Sequence, residues 1–233
     1  MHDIRTITLD LDDTLWAIQP VIERAEQQLY DWLGDNVPRV VEMFGTAEIL
    51  TLREQVIAEN VEKAYDLTFL RRTVLSRMGV SAGCGDGFVD DAFAVFDEAR
   101  QTLELFPEAR AALESLHGRY TLIAVTNGNA SLEKIGIDDL FDDFVSAATA
   151  GVAKPHRAIF DAAVRVGGAE PHETLHVGDH PEYDVGGARA AGLKTVWVNR
   201  NGHEWPSELP QPDETVADLG ELDRIMPQYP GGQ

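Results

Sequence analysis

Short apolar runs alternate with helical periodicities from residue 108 onward, and this alternation restricts the fold more than any other feature of the sequence. The apolar runs are rich in valine, isoleucine, leucine and threonine, and they predict strands at 121–125, 144–147, 174–177 and 194–198. The segments around them predict helices at 108–117, 130–135, 158–166 and 184–191. Strands that alternate with helices form parallel sheets through right-handed crossovers. The sequence therefore predicts an α/β protein with a doubly wound parallel sheet.

An earlier strand, over residues 7–11, is separated from this pattern by a long helical segment. Ile7, Leu9 and Leu11 alternate with polar residues, which is the two-residue period of a strand. Residues 17–100 carry helical patterns and no convincing strand. We therefore predict a core domain of residues 1–16 and 101–233, with a helical domain of residues 17–100 inserted after the first strand.

The composition argues against several classes of partner. A net charge of -21 would repel the phosphates of a nucleic acid, and no run approaches the roughly 20 apolar residues that a membrane helix needs. Cys84 is the sole cysteine, so no internal disulfide can form and we expect a cytoplasmic location. Because the first strand begins close to Met1, we expect no secretory signal peptide. The oligomeric state does not follow from the sequence.

Polar residues of the kinds used in catalysis follow four of the predicted strands. They are Asp10 and Asp12 after the first strand, Thr126, Asn127 and Gly128 after the second, Lys154 after the third, and Asp179 and Asp184 after the fourth. Taken singly, each group has a structural alternative as a turn, a helix cap or a solvated helix start. Because ligands bind at the carboxyl ends of such strands, we expect the groups to converge there. Converging carboxylates repel one another, so a divalent metal such as Mg²⁺ is expected to hold them together.

This order of motifs resembles the haloacid dehalogenase (HAD) superfamily, which carries an Asp-x-Asp-x-Thr strand end, a Ser or Thr, a Lys and a closing acidic pair. The resemblance covers residues 5 to about 200, and the helical insert stands where that family places its cap. Finer matches at 12–16, 126–130 and 176–179 resemble its YigB-type flavin mononucleotide phosphatases. The resemblance implies an Mg²⁺-dependent phosphatase of a small phosphorylated metabolite, with flavin mononucleotide or a related ribityl phosphate as the expected substrate.

The resemblance also implies catalytic roles. Asp10 is expected to be the nucleophile that forms an aspartyl-phosphate, and an unperturbed aspartate is already ionised at neutral pH. Asp12 is expected to protonate the departing alcohol and then to accept a proton from the attacking water. Lys154 is expected to contact the transferring oxygens, and Asp184 is expected to orient Lys154 or a metal-bound water.

Binding roles follow in the same way. The hydroxyl of Thr126 and the backbone N–H groups around Asn127 and Gly128 are expected to bind the transferring oxygens, together with Lys154. The expected metal ligands are the carboxylates of Asp10 and Asp179 and the backbone carbonyl of Asp12.

Several alternatives stay open at this point. Asp12 favours phosphate esters over halogenated substrates, because the family's dehalogenases lack that acid. The substrate could instead be a sugar phosphate, a nucleotide or phosphoglycolate, and a non-catalytic phosphate-binding protein is a candidate from another class. A phosphonatase would need a lysine in the insert, where Lys63 is the sole one. Arg71 and Arg72 either lie on a solvated helix face or contact substrate, and Trp16 either packs or stacks on a flat substrate ring.

Overall fold

The computed structural model describes residues 3–226, and the chain divides into two compact units. One unit is formed by Met1–Ala17 and Glu104–Gln233, and the other is formed by Ile18–Leu103. The proline- and glycine-rich end at 230–232, which the sequence predicts to be a loop, lies outside the described residues. Within the described part of the chain, no helix has the length and apolar character required to cross a membrane.

The first unit contains a six-stranded parallel sheet. Its strands are β1 (Thr6–Leu9), β2 (Thr121–Thr126), β3 (Asp143–Ser146), β4 (Thr174–Gly178), β5 (Lys194–Val198) and β6 (Glu214–Val216). The strand order is β3-β2-β1-β4-β5-β6, and each neighbouring pair is parallel. The chain runs outward from β1 to β3 and then returns to the other side of β1 for β4. The prediction of a doubly wound parallel sheet is confirmed, and its switch point lies between β1 and β4.

Helices pack on this sheet through amphipathic faces. The helices of the unit are Ala109–Leu116, Leu132–Ile135, Ala147–Ala150, Arg157–Gly167, Gly187–Ala191 and Leu222–Ile225, with a π-helical turn at Pro181–Gly186 and 3-10 turns at Asp138–Leu140, Pro171–Glu173 and Leu219–Glu221. The helix Arg157–Gly167 buries Ile159, Phe160 and Ala163, which share one side of a helical turn. It ends at Gly168, whose φ of 68° suits glycine because no Cβ is present to clash.

The second unit is helical throughout. Its helices are Ile18–Asn36, Pro38–Met43, Thr46–Glu59, Leu67–Ser81 and Val89–Gln101, with a 3-10 turn at Val61–Lys63. The first of them buries Val21, Ala25, Leu29 and Leu33, which recur every four residues along one face. Ala25, Leu29 and Leu33 of that face pack into a separate apolar core with side chains such as Phe96. Each unit thus has its own core.

Two elements differ from the sequence-based expectation. Strand β6 was not predicted, because it has three residues and two of them are exposed, so no apolar alternation marks it. Lys154 was expected at the start of the helix after β3. A short helix, Ala147–Ala150, follows β3 instead, and Lys154 lies in the loop before Arg157–Gly167. The capping box formed by Ser146 and Thr149 explains why a helix begins directly after the strand.

Candidate active site

Four charged side chains meet beyond the carboxyl ends of the central strands. The charged cluster consists of Asp10 after β1, Asp179 after β4, Asp184 in the turn Pro181–Gly186, and Lys154 in the loop after β3. Oxygens of the three carboxylates lie within 4.8 Å of one another. The Lys154 ammonium donates to Asp10 Oδ1 at 2.5 Å and to Asp184 Oδ1 at 2.6 Å. Three of the four sequence motifs therefore meet at one point.

The strand register and a tight turn position Asp10. β1 and β4 pair so that Leu9 lies opposite Val177, and the N–H of Asp10 donates to the carbonyl of Val177 at 2.9 Å. Asp13 then adopts a left-handed conformation with a φ of 61°, which aspartate tolerates better than most residues. This turn returns the chain, so that the Thr14 hydroxyl donates to Asp10 Oδ2 at 3.1 Å. Both oxygens of Asp10 are thereby held.

Asn127 holds the backbone of Lys154 at two points. Its side-chain amide donates to the Lys154 carbonyl at 3.0 Å, and its side-chain oxygen accepts from the Lys154 N–H at 2.7 Å. The Lys154 ammonium also donates to the carbonyl of Val125 at 3.1 Å. The sequence predicted Asn127 as a substrate contact, and the structure uses its side chain to position the lysine.

Thr126 and Gly128 form a compact turn at the end of β2. The N–H of Gly128 donates to the Thr126 hydroxyl at 2.9 Å, and Thr126 is buried. The turn follows the strand that neighbours β1, on the same edge of the sheet as Asp10. A hydroxyl that accepts from the backbone can still donate its own proton to a bound anion.

The charged cluster carries more negative than positive charge. Burial is the largest influence on Asp10, and with repulsion from Asp184 and Asp179 it raises the pKa of Asp10 well above its usual range, although Lys154 opposes the shift. Burial and repulsion from Asp184 raise the pKa of Asp179 to about 7. The ionised form of this buried group is therefore favoured by nearby positive charge, such as the Lys154 ammonium.

Lys154 and Asp184 form the stable ionic part of the cluster. Burial by itself would lower the pKa of Lys154, but attraction to Asp10 and Asp184 outweighs burial and leaves this pKa raised. Burial would likewise raise the pKa of Asp184, yet Lys154 and His176 hold it below its usual range. The Lys154 ammonium, which Asp10 and Asp184 share, is thus the positive charge that opposes the rise in the pKa values of Asp10 and Asp179.

These donors fit a magnesium ion. Asp10, Asp179 and Asp184 offer hard carboxylate oxygens, which Mg²⁺ prefers, and three carboxylates around one ammonium leave negative charge for a cation to neutralise. The sequence predicted Asp10, Asp179 and the backbone carbonyl of Asp12 as ligands. The structure adds the carboxylate of Asp184 as a third side-chain candidate.

A buried tryptophan contacts the carboxylate of Asp12. The indole N–H of Trp16 donates to Asp12 Oδ1 at 2.8 Å, and Trp16 is completely buried. A ring that is fully buried and donates to Asp12 cannot also stack on a substrate in this arrangement. Of the two alternatives for Trp16, the structure favours packing, and it adds a hydrogen bond to the expected proton donor.

The three basic residues of the helical unit for which the sequence left a functional alternative have partners inside that unit. Arg71 forms a two-point pair with Glu26 at 2.8 and 3.1 Å, and its guanidinium lies 3.4 Å from the ring centroid of Phe96. Arg72 pairs with Asp90. The ammonium of Lys63 lies 4.4 Å from the ring centroid of Phe69.

The model of the haloacid dehalogenase-like hydrolases matches residues 4–192 of this chain, which include every residue of the charged cluster. The chain belongs to this family. The sequence-based resemblance is confirmed, and the protein is a hydrolase whose relatives support phosphatase chemistry.

Three relatives illustrate the range within the family. The chain is 31% identical to 5-amino-6-(5-phospho-D-ribitylamino)uracil phosphatase YigB of Escherichia coli (strain K12), over 96% of each protein. It is 29% identical to the glyceraldehyde 3-phosphate phosphatase of Methanopyrus kandleri (strain AV19), over 95% of this chain and 94% of that protein. A solved structure of 2-haloacid dehalogenase from Pseudomonas syringae pv. Tomato DC3000 superposes with a TM-score of 0.91 at 33% identity, covering 95% of this chain and 97% of the other.

Three residues to which the sequence assigned no catalytic or binding role contact the charged cluster in this HAD-family protein. Thr14 donates to Asp10, the N–H of His180 donates to Asp184 Oδ2 at 2.9 Å, and His176 Nε2 lies 3.1 Å from Asp184 Oδ1. A signal existed for His176, because a histidine in a fully buried strand must find hydrogen-bond partners. His180 follows Asp179 directly in the sequence, but its contact comes from its backbone N–H, which its residue type does not predict.

Gly178 provides a stability and activity prediction for the site. An added Cβ would lie 2.4 Å from Asp184 Cγ, so Gly178→Ala must displace that carboxylate. We expect a loss of about 1–3 kcal/mol in the free energy of unfolding and a clear loss of turnover, measured by urea denaturation and a phosphate-release assay. Gly87→Ala is the matched control, since no atom lies within 4 Å of its Cβ. Equal behaviour of the two variants would contradict the prediction.

Proposed function

We propose that this hydrolase is an Mg²⁺-dependent phosphatase that cleaves a small phosphate monoester through an aspartyl-phosphate at Asp10. The observation that carries the proposal is the Lys154 ammonium, bonded to Asp10 and Asp184 with Asp179 beside them. This arrangement supplies a nucleophile, a positive charge for the phosphoryl oxygens and a set of hard ligands in one place. Mg²⁺ bound by these carboxylates would add positive charge that lets an anionic nucleophile meet an anionic ester.

The chain's own residues account for each bond change. An Asp10 oxygen attacks phosphorus, the bond from phosphorus to the alcohol oxygen breaks, and Asp12 gives its proton to that oxygen. A water then attacks the phosphorus of the aspartyl-phosphate, the bond to Asp10 breaks, and Asp12 accepts the proton of the water. The Thr126 hydroxyl and the backbone N–H of Asn127 donate to the phosphoryl oxygens throughout, while the N–H of Gly128 donates to the Thr126 hydroxyl and so orients it. One water is consumed, and inorganic phosphate and an alcohol are released.

A ribityl phosphate is the substrate class that we favour, with flavin mononucleotide as one example. The support is the name of the YigB relative, a phosphatase of a phosphoribitylamino-uracil, together with its coverage of 96% of both chains. Phosphatases of other small metabolites are the alternative, since a relative of similar coverage acts on glyceraldehyde 3-phosphate. We also propose that the helical unit is the cap that selects the substrate, and that the protein acts in the cytoplasm without nucleic acid or a membrane as partner.

Phosphate release from a panel of esters tests this function. We expect Mg²⁺-dependent release that EDTA abolishes, with the highest kcat/KM for flavin mononucleotide or the phosphoribitylamino-uracil among a panel that includes glyceraldehyde 3-phosphate, a pyrimidine nucleotide, phosphoglycolate and phosphoserine. Chloride release from a 2-chloroacid without phosphate release would identify a dehalogenase instead. A folded protein that binds phosphate and Mg²⁺ but cleaves nothing would be a binding protein.

Asp12→Asn separates proton transfer from the other parts of the mechanism. An asparagine oxygen can still accept from Trp16 at the 2.8 Å position, so the fold is expected to be unchanged. Turnover is expected to fall by roughly 10²- to 10⁴-fold, the usual contribution of a general acid–base group. The loss in kcat/KM should be larger for an alkyl phosphate than for p-nitrophenyl phosphate, whose phenolate leaves more easily. Unchanged turnover of a folded variant would exclude Asp12 from the mechanism.

A further inference from the structure

A chain of buried hydrogen bonds connects the middle of the sheet to the charged cluster. Thr8 of β1 lies opposite His176 of β4, and the Thr8 hydroxyl lies 2.8 Å from His176 Nδ1. The other ring nitrogen, Nε2, lies 3.1 Å from Asp184 Oδ1, the oxygen that also accepts from Lys154 at 2.6 Å. Lys154 then reaches Asp10 at 2.5 Å. This chain of hydrogen bonds, here called the relay, therefore runs from Thr8 through His176, Asp184 and Lys154 to Asp10.

Each member of the relay is fixed by burial as well as by bonding. Thr8 is fully buried, and His176 and Asp184 are each 1% exposed. Phe160 packs on His176 in an edge-to-face arrangement, with the ring centroids 5.1 Å apart and the ring planes at 85° to each other. An ionised carboxylate only accepts hydrogen bonds, so His176 Nε2 carries the proton that points at Asp184. The imidazole is thus held at both nitrogens and by packing.

We propose that His176, oriented by Thr8, is a positioning residue that fixes Asp184 and through it the Lys154 ammonium beside Asp10. The proposal rests on the phosphatase function proposed above, because the position of Lys154 matters only if Asp10 receives a group that Lys154 stabilises. The physical reason is geometric. Asp184 Oδ1 accepts from Lys154 and His176, and Oδ2 accepts from the N–H of His180, so removing the histidine loosens Oδ1 and lets the carboxylate pivot about the His180 contact. A misplacement of about 1 Å at a reacting centre can cost on the order of 100-fold in rate.

The first test compares three variants of His176 and Thr8. His176→Phe keeps a flat ring without donors, His176→Gln can place an amide N–H where Nε2 stands, and Thr8→Val removes the hydroxyl at nearly constant shape. Thr6→Val is the matched control: it lies two residues earlier in β1 and is fully buried, and its hydroxyl donates to the Gly167 carbonyl at 3.0 Å rather than to the relay. Rates are measured on folded protein, well below each variant's unfolding midpoint.

The expected results separate positioning from a general loss of stability. His176→Phe should lower kcat by roughly 10- to 100-fold, the usual effect of losing a partner that orients a ligand, with KM changed less than about threefold. His176→Gln should recover most of kcat. Thr8→Val should lower kcat by about 3- to 10-fold, the rate equivalent of one buried hydrogen bond, and Thr6→Val should leave it unchanged. Wild-type kcat in His176→Phe, or a His176→Gln as slow as His176→Phe, would overturn the proposal. If His176→Phe does not fold, a Thr8→Val variant with the wild-type kcat would overturn the proposal.

Crystal structures of the wild type and of His176→Phe provide a readout that does not need activity. We expect the Lys154 ammonium to leave its 2.5 Å contact with Asp10 in His176→Phe and to keep it in His176→Gln. An unmoved ammonium in His176→Phe would overturn the positioning role even if the protein is a phosphatase. A displaced ammonium in a protein that cleaves no ester would support positioning and refute the proposed function, so the two failures are distinguishable.

Discussion

Replacing Asp10 by asparagine is expected to lower turnover by about 10⁴- to 10⁶-fold, the range found when a covalent nucleophile is removed. The amide keeps the shape of the side chain but cannot attack phosphorus. Phosphate release measures the loss, and acid quenching with a ³²P-labelled ester measures the intermediate. Label should be found on Asp10 in the wild type, should accumulate there in Asp12→Asn, and should be missing in Asp10→Asn.

Asp10→Asn is expected to keep or increase the stability of the fold, although it abolishes most of the activity. Burial and repulsion from Asp184 and Asp179 raise the pKa of Asp10, which means that the folded state disfavours its charge. In EDTA, Asp10→Asn is therefore expected to unfold at a midpoint no lower than the wild type. Asp139→Asn is the matched control, since it removes an exposed carboxylate outside the charged cluster and should leave turnover within a few-fold. Label on a residue other than Asp10 would refute the mechanism.

Replacing Lys154 by methionine is expected to cost both stability and activity. Lys154 is 5% exposed and its ammonium pairs with Asp10 and Asp184, so its removal leaves two buried carboxylates without their cation. Removing one member of a buried ion pair costs about 3–5 kcal/mol of unfolding free energy. Urea denaturation in EDTA measures that loss, and saturating Mg²⁺ should reduce it, because a cation that binds the folded state stabilises that state. Turnover should fall by roughly 10²- to 10³-fold, as when a donor to a transition-state charge is lost.

Lys194→Met is the control for this variant. Lys194 lies at the start of β5 with its side chain half exposed, and it pairs with Asp213 at 3.4 Å. A solvated pair of this kind contributes about 1 kcal/mol or less, so turnover should be unchanged and the loss of stability small. If Lys154→Met were as stable as Lys194→Met in EDTA, this result would contradict the conclusion that the Lys154 ammonium stabilises the buried carboxylates of the charged cluster.

The sequence predicted the site residues well, since their signals are local. Asp10, Thr126 and Asp179 each end a buried apolar run or follow it directly, and parallel pairing then brings such residues to one edge of the sheet. The position of Lys154 was less predictable. A short capped helix was inserted before it, and the bonds that hold it come from Asn127, 27 residues away in sequence.

The contacts among site residues could not be read from the sequence. Asp12 and Trp16 are four residues apart, yet the turn through Asp13 decides that the indole reaches the carboxylate. The pairing of Thr8 with His176 depends on a register between strands separated by 168 residues. Strand β6 was missed because edge pairing with β5, rather than its own residue pattern, makes it a strand.

The amino-acid sequence by itself determined the alternation of strands and helices, the parallel sheet and the identity of the residues at the strand ends, because hydrophobic periodicity and turn chemistry are properties of neighbouring residues. Only the tertiary structure decided which of those residues touch and how strongly they perturb one another. Burial and charge proximity are set by chain segments far apart in sequence, so the raised pKa of Asp179 and the ammonium shared by Asp10 and Asp184 exist only once the sheet has formed.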